Sequence, residues 1–300
     1  MTLETTTSIA ESSRRLGALT IEIRRRLSLA GVESAEQETL WLVEHALGLS
    51  GLRQLVDQDR VLTDSEVAAV EQLVLRRAAR EPLQYILGTQ EFCGLQFEVN
   101  PSVLIPRPET ELLVQETIRW LPPTKHPTIV DVGTGSGCLA VTLARSLRSC
   151  RMLAIDCSAA ALDTAKRNAR RHRLEQAITW LEGDLLAPLA GPQWERSVDL
   201  IVSNPPYIRE RDWATLQPEV GRYEPKTALV AGPKGTEYHE RLLEEAVPLL
   251  RAGALLIMEL GQGQSRALRD RLVTMPAYGA VQVIQDDAGI DRVFIVERVG

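Results

Sequence analysis

From Thr128 onward, short apolar runs of strand length alternate with longer segments of helical periodicity, and this alternation limits the fold more than any other feature of the chain. The expected strands are Thr128–Val132, Met152–Asp156, Ala177–Glu182, Val198–Ser203 and Ala254–Glu259. Gly137–Arg148 and Ala159–Arg173 carry the helical pattern between the first three strands, and a helix near Tyr238–Leu250 precedes the fifth. Strands separated by helices run parallel, because the chain must cross the sheet and return, and such crossovers are right-handed. Val281–Gln285 and Arg292–Glu297 are joined by a short Asp/Gly turn, too tight for a crossover, which predicts a hairpin with one antiparallel strand. The class is therefore α/β, a doubly wound sheet of seven strands.

The N-terminal part has another period. Leu16, Leu19, Ile23 and Leu27 recur at three- and four-residue spacing and form one apolar stripe. A second helix is expected from Ser34, paired with Gln37 as a capping box, turning Leu42, Val43, Ala46 and Leu47 inward. A third starts near Thr63, with Glu66 three residues on, carries Val67, Val70, Leu73 and Val74, and stops before Pro82. Three such stripes bury one another as a small bundle. Gly88 to Val99, with Phe92, Leu95, Phe97 and Val99 around Gly94, reads as a β-hairpin. Pro101, Pro106 and Pro108 stiffen the next stretch, and a helix from near Glu109 is closed by Pro122 and Pro123. The expected domains are a helical bundle over 1–85, a hairpin linker over 86–100 and the sheet domain over 101–300.

Asp131-Val-Gly-Thr-Gly-Ser-Gly137 lies where the first strand gives way to a helix. Gly133, Gly135 and Gly137 let the backbone turn tightly and approach a ligand with no Cβ between them, and Thr134 and Ser136 complete the loop. A dinucleotide-binding G-x-G-x-x-G would need glycine where this chain has Cys138, and the Lys-Ser/Thr of a phosphate-binding P-loop is missing. Asp156 ends the next strand, where a carboxylate accepts hydrogen bonds from ribose hydroxyls. Gly183-Asp184-Leu185 ends the third, placing Asp184 to reach an adenine. All lie at carboxyl ends of successive strands, where open α/β sheets bind ligands, so a nucleoside-bearing cofactor is expected there.

Asn204-Pro-Pro-Tyr207 follows the fourth strand and faces the same site, which makes Asn204 a candidate cofactor contact as well. Pro205 and Pro206 have no N–H and a fixed φ, so their carbonyls are free and held in direction. With the Asn204 side-chain carbonyl they can accept both hydrogens of an –NH2 group and aim its nitrogen at a methyl donor. An amide or aryl amine nitrogen is a poor nucleophile because its lone pair is delocalised, and two acceptors favour turning that pair out of plane. Tyr207 is expected to stack on the planar group and exclude water. No strong base is required, since the proton can leave after transfer. Asn204, Pro205 and Tyr207 are thus the candidate catalytic residues, and Asn204 to Tyr207 the substrate-binding ones.

A net charge of −6 weighs against a partner held chiefly through nucleic-acid phosphates, so no DNA is expected. The basic clusters Arg24-Arg25-Arg26, Arg76-Arg77-Arg80 and Lys166 to Arg173 fall on expected helices and read as solvated faces. Cys93, Cys138, Cys150 and Cys157 form no C-x-x-C pair and adjoin no histidine cluster, so reduced thiols and no metal are expected. No apolar run nears the roughly 20 residues that span a bilayer. Met1 to Glu11 is polar, with no secretory h-region. A cytoplasmic protein without a membrane partner is expected.

Taken together, these residues closely resemble the release-factor glutamine methyltransferase family over nearly the whole chain. The likeness extends to Pro82-Leu-Gln-Tyr-Ile-Leu-Gly88, Glu91-Phe92, Gly94, Leu104-Ile-Pro-Arg-Pro-Glu-Thr-Glu111, Glu224-Pro225, Ala228-Leu229 and Glu259-Leu-Gly-Gln. The resemblance implies a Rossmann-like methyltransferase sheet, S-adenosylmethionine as methyl donor, and methylation of the glutamine side-chain N5 in the Gly-Gly-Gln motif of peptide chain release factors. It implies that the glycine loop and Asp156 hold the donor and that Asn204 to Tyr207 hold the glutamine. Arg107 to Thr110 would help close the site, and the helical domain would help dock the release factor. Leu185 stands where the family often has an aromatic residue, and Ala231-Gly-Pro-Lys-Gly235 departs from its Gly-Gly-x-x-Gly-Leu pattern. Rival readings are a ribosomal-protein glutamine methyltransferase, with the same chemistry on another target, and a DNA or RNA adenine N6-methyltransferase, which would flip a base into the pocket. A donor-binding adaptor without turnover would not need Asn204, and a dehydrogenase leaves Asn-Pro-Pro-Tyr unexplained.

Overall fold

Residues 14–121 and 126–300 are described by the structure, a computed structural model, so the expectations for Met1 to Glu11 and for Pro122 and Pro123 lie outside the described residues. The chain forms two compact units, Met1–Gly88 with Pro218–Tyr223, and Thr89–Gln217 with Glu224–Gly300.

The first unit contains α1 (Leu16–Leu29), α2 (Ala35–Leu47), α3 (Gly51–Val56), α4 (Asp64–Ala78), α5 (Leu83–Leu87) and, from far along the chain, α9 (Pro218–Tyr223). The stripe of Leu16, Leu19, Ile23 and Leu27 is buried against Leu42 and Val43 of α2 and Val70 and Val74 of α4. Thr63 caps α4 with both halves of a capping box: its hydroxyl accepts from Glu66 N at 3.3 Å, and Glu66 Oε2 accepts from Thr63 N at 2.8 Å. Replacing Thr63 with Ala is expected to lower stability by about 1 kcal/mol, read as a lower urea midpoint at unchanged slope. The box expected at Ser34 is absent, because Ser34 (φ −95, ψ 36) is out of the extended conformation from which an N-cap side chain reaches back. The helices α3 and α5 are too short to announce themselves by period. Of Arg76-Arg77-Arg80, Arg76 is exposed as expected, but the other two are not on a solvated face. Arg77 is 5% exposed, with its guanidinium 2.5 Å from Glu38 and 3.0 Å from Glu219, and Arg80 lies 2.6 Å from Glu219. The carboxylate that draws two arginines inward comes from α9, beyond the reach of any local pattern.

In the second unit β1 (Thr89–Phe92) and β2 (Leu95–Glu98) pair as a hairpin. Cys93 (φ 49) and Gly94 (φ 72) are both left-handed, as a two-residue turn between right-twisted strands requires. Phe92 and Phe97 pack edge to face at 6.1 Å and join the core under α6 (Glu111–Trp120), so the hairpin belongs to the packed unit. The sheet comprises β3 (Thr128–Val132), β4 (Arg151–Asp156), β5 (Ile178–Glu182), β6 (Val198–Ser203), β9 (Leu250–Glu259), β10 (Tyr278–Gln285) and β11 (Asp291–Arg298), in the order β10-β11-β9-β6-β3-β4-β5. Neighbours from β9 to β5 are parallel, and β11 is antiparallel to both β9 and β10. Successive side chains face opposite ways. Val130 and Val132 meet Leu242 and Leu243 of α10 (Glu237–Ala246) and Leu268 of α11 (Ser265–Leu272) in one core. Ile129 meets Leu139 and Leu143 of α7 (Cys138–Ser146) in the other, which also takes in Ala169 of α8 (Ala159–Arg171). A short parallel pair, β7 (Ile208–Arg209) with β8 (Val230–Gly232), follows β6. The strand order reverses between β3 and β6, and at that switch point the carboxyl ends of the strands open a crevice.

Candidate active site

The loop after β3 is shaped from within. Asp131 is fully buried, and its Oδ2 accepts from the Thr134 hydroxyl at 2.6 Å and from Ala140 N at 3.1 Å, tying the loop to the first turn of α7. Gly133 (φ +75) and Gly135 (φ +55) are left-handed, and no atom of the described residues lies within 4 Å of where a Gly133 Cβ would stand, so the loop presents a bare face there. Gly137 serves packing instead: a Cβ there would lie 3.0 Å from Ala165 Cβ of α8. Thr134 and Ser136 are buried behind the loop, and the Ser136 carbonyl accepts from Asn168 at 2.9 Å. Burial pushes Asp131 up to about 7, and its Oδ1 has no partner among the described residues.

At the end of β4, Asp156 Oδ2 accepts from Gly135 N at 2.8 Å and Oδ1 from Ser158 N at 2.9 Å. Burial raises this carboxyl above the usual range, against those backbone donors. Each oxygen keeps a further acceptor position, so the group that fixes the loop can also receive a pair of hydroxyls. Asp184 stands at the rim, and its carboxylate is paired with Arg241 at 2.8 Å, so an adenine amine would have to compete with a guanidinium for it. The neighbouring wall is apolar. Leu185 (φ 46), Ile155 and Tyr238 line a cavity of about 250 Å³, together with Gly133, Gly135, Asp156 and Asp184. Ser102, Val103, Leu104, Pro225 and, from the end of β6, Asn204, Pro205 and Pro206 form its other side.

Asn204 thus lies on one cavity with Gly133 and Asp156. Its Nδ2 donates to Thr110 Oγ1 at 3.0 Å, while no donor among the described residues reaches its Oδ1 or the Pro205 carbonyl. Tyr207 follows on the same turn. It does not line the cavity: its hydroxyl lies 3.4 Å from Glu259 Oε1, and its ring backs onto Gly261, where a Cβ would come within 2.9 Å. Burial raises the Tyr207 hydroxyl, with the Glu259 charge adding. Among the residues first put forward, Gly133, Gly135, Asp156, Asp184, Asn204, Pro205 and Pro206 share the cavity, whereas Thr134, Ser136, Gly137 and Tyr207 support it.

Glu224, Glu259 and Gln264 were given no role from the sequence, and Arg107 and Thr110 were expected only to help close the site. Thr110 donates to Glu259 Oε2 at 2.7 Å, closing a chain from Asn204 through Thr110 and Glu259 to Tyr207. Gln264 donates to the carbonyls of Tyr207 and Gly235, each at 2.9 Å, and accepts from Gly261 N at 2.8 Å. Gly235 (φ +85) leaves room for that clamp, since its Cβ would stand 2.8 Å from the Tyr207 carbonyl oxygen. Arg107 pairs with the buried Glu224, which also accepts from Ile105 N at 3.1 Å, so two stretches bordering the cavity are stapled together. Thr110, Arg107, Glu224 and Glu259 stood in the segments that carry the resemblance. No spacing rule links positions 149 residues apart, as Thr110 and Glu259 are.

Comparisons with known proteins bear on both parts of the chain. Residues 18–88 match the family described as PrmC N-terminal domain, and residues 109–217 match the methyltransferase small domain. The chain is 44% identical over 277 residues to a release factor glutamine methyltransferase of Geobacter sulfurreducens, covering 92% of this chain and 94% of that one. It is 42% identical to the protein of the same name from Moorella thermoacetica, covering 92% and 96%. Among solved structures, the hMettl16 catalytic domain in complex with a 3'UTR hairpin superposes with a TM-score of 0.53 at 18% identity, covering 80% of this chain and 84% of that one, a likeness of fold. No helix among the described residues is long and apolar enough to cross a membrane.

Proposed function

This chain belongs to the release factor glutamine methyltransferase family, and we propose that Asn204, Pro205 and Pro206 grip the substrate amide while Gly133, Gly135 and Asp156 hold the methyl donor. The protein is an S-adenosylmethionine-dependent enzyme that methylates a release-factor glutamine. We take that glutamine to be the one in the Gly-Gly-Gln loop, with N5 as the acceptor atom, and place the reaction in the cytoplasm.

The residues suit the donor. The apolar wall of Ile155, Leu185 and Tyr238 fits an adenine, and Asp156 fits a ribose diol. The bare face at Gly133 leaves the loop backbone open to the donor's amino-acid end. S-adenosylmethionine supplies a methyl carbon on a sulfonium, which is electrophilic without help from the protein. What remains for this chain is to present a weak nucleophile. Asn204 Oδ1 and the Pro205 carbonyl accept the two amide hydrogens, each net hydrogen bond contributing roughly 0.5–1.5 kcal/mol. The greater gain is alignment of nitrogen, carbon and sulfur, which for well-oriented groups reaches about 7–11 kcal/mol. Tyr207 and Gln264 brace the turn from behind. No histidine is needed as a base. His239, lowered to about 4 by burial, is neutral and lies 2.7 Å from the Glu259 carbonyl.

The observation that carries the reading is the Asn204 amide, its NH2 turned to Thr110 and its oxygen without a donor among the described residues, on the same cavity as Gly133 and Asp156. The test is to incubate the protein with methyl-labelled S-adenosylmethionine and purified release factor, ribosomal protein, DNA or RNA. Label on the release-factor glutamine is expected. Label confined to a ribosomal protein or a nucleic acid would overturn the assignment of substrate.

A further inference from the structure

We propose that Glu259 and Thr110 are positioning residues, and that the ionised carboxylate of Glu259 decides which end of the Asn204 amide meets the incoming glutamine. The proposal rests on the glutamine-methylating reading above. Thr110 Oγ1 lies 2.7 Å from Glu259 Oε2 and 3.0 Å from Asn204 Nδ2. A hydroxyl has one hydrogen to give and two lone pairs. Ionised Glu259 only accepts, so it takes the Thr110 hydrogen, and Thr110 offers Asn204 nothing but lone pairs. The amide must then turn its NH2 to Thr110 and keep its oxygen for the substrate. With Glu259 protonated, the acid donates to Thr110, and the Thr110 hydrogen is free to go to Asn204 Oδ1. The flipped amide presents NH2 to the glutamine NH2, donor against donor, and the grip is lost.

Glu259 is set for this switch. It is 1% exposed at the end of β9, with its backbone carbonyl held by His239 of α10. Burial, the largest influence, pushes its carboxyl up to about 7. The hydrogen bond from Thr110, the charge of Arg292 on β11 and the weaker contact of the Tyr207 hydroxyl work the other way, and Glu109 adds to the rise. His239 faces it as a neutral ring.

The test is kcat against pH at saturating donor, so that any loss of donor affinity on protonation of Asp131, also near 7, does not enter the profile. For the native enzyme kcat is expected to fall about tenfold per pH unit on the acid side of an apparent pKa near 7, as loss of one essential ionised group requires. Glu259→Gln should lose that acid limb and turn over roughly 10- to 100-fold more slowly, with donor affinity by calorimetry changed less than about twofold. Thr110→Val, similar in shape but without the hydroxyl, should lose turnover comparably, and Thr110→Ser should recover to within about threefold. An acid limb that survives in Glu259→Gln, or native kcat in Thr110→Val, overturns the proposal. Should Glu259→Gln fail to fold, seen in its melting temperature and lost donor binding, the Thr110 pair decides alone. A native enzyme that labels no glutamine at any pH refutes the functional reading instead.

Discussion

Asn204→Ala is expected to lower kcat for methyl transfer about 100-fold or more while leaving S-adenosylmethionine affinity within about twofold, the signature of a group used mainly in the transition state. Asn204 contributes an oxygen that no donor among the described residues reaches and an NH2 committed to Thr110, so truncation removes one acceptor for the substrate and leaves the cavity otherwise intact. It also leaves Thr110 with its bond to Glu259 and no partner on the other side. Single-turnover rates with saturating donor and release factor make the measurement. Turnover near the native rate would remove Asn204 from the site and with it the reading built on the turn after β6.

Asp156→Ala is expected to show the opposite pattern. Its carboxylate ties down Gly135 N and Ser158 N, and in the proposed complex it receives the ribose hydroxyls. Hydrogen bonds to a charged group are each worth about 1.5–3 kcal/mol, so losing even one should weaken donor affinity roughly 10- to 100-fold. Much of the rate should return when donor is raised to saturation, which no concentration of donor achieves for Asn204→Ala. Calorimetry showing unchanged affinity would contradict the role given to Asp156.

The two variants bear on residues legible from the sequence, and the reason they were legible is local. A glycine loop between strand and helix, an acid at the next strand end and Asn-Pro-Pro-Tyr after the fourth strand are each set by the residues beside them. The topology then delivers them to one crevice. The sheet was readable for the same reason, since Val130, Val132, Leu153, Ile155 and Ile201 alternate or run on as buried strands must. What escaped were partnerships across the fold. Glu259 reaches Thr110, Gln264 clamps the Tyr207 carbonyl, and Glu224 holds Arg107, each pair brought together by packing and by no spacing in the chain. Tyr207 adds a partnership of the same kind: its residue type suggests stacking on an amide, and nothing in its neighbourhood announces that its hydroxyl also lies toward a buried carboxylate. Ser34 fails as a cap for another reason, since the right residues at the right interval take a different backbone conformation.

The membership of α9 in the first unit has a consequence for how the protein is made. Arg77 and Arg80 leave the ribosome well before Glu219, which follows Arg80 by 139 residues, so the nascent N-terminal helices wait with an inward-turned guanidinium short of one of its carboxylates. By the time Glu219 emerges, the glycine loop, Asp156 and Asn204 have all been synthesised. Domains generally settle in the order of translation. Here the earlier one can be completed only after most of the later one exists, and a fragment cut at Gly88 would be a less stable object than the same residues in the full chain.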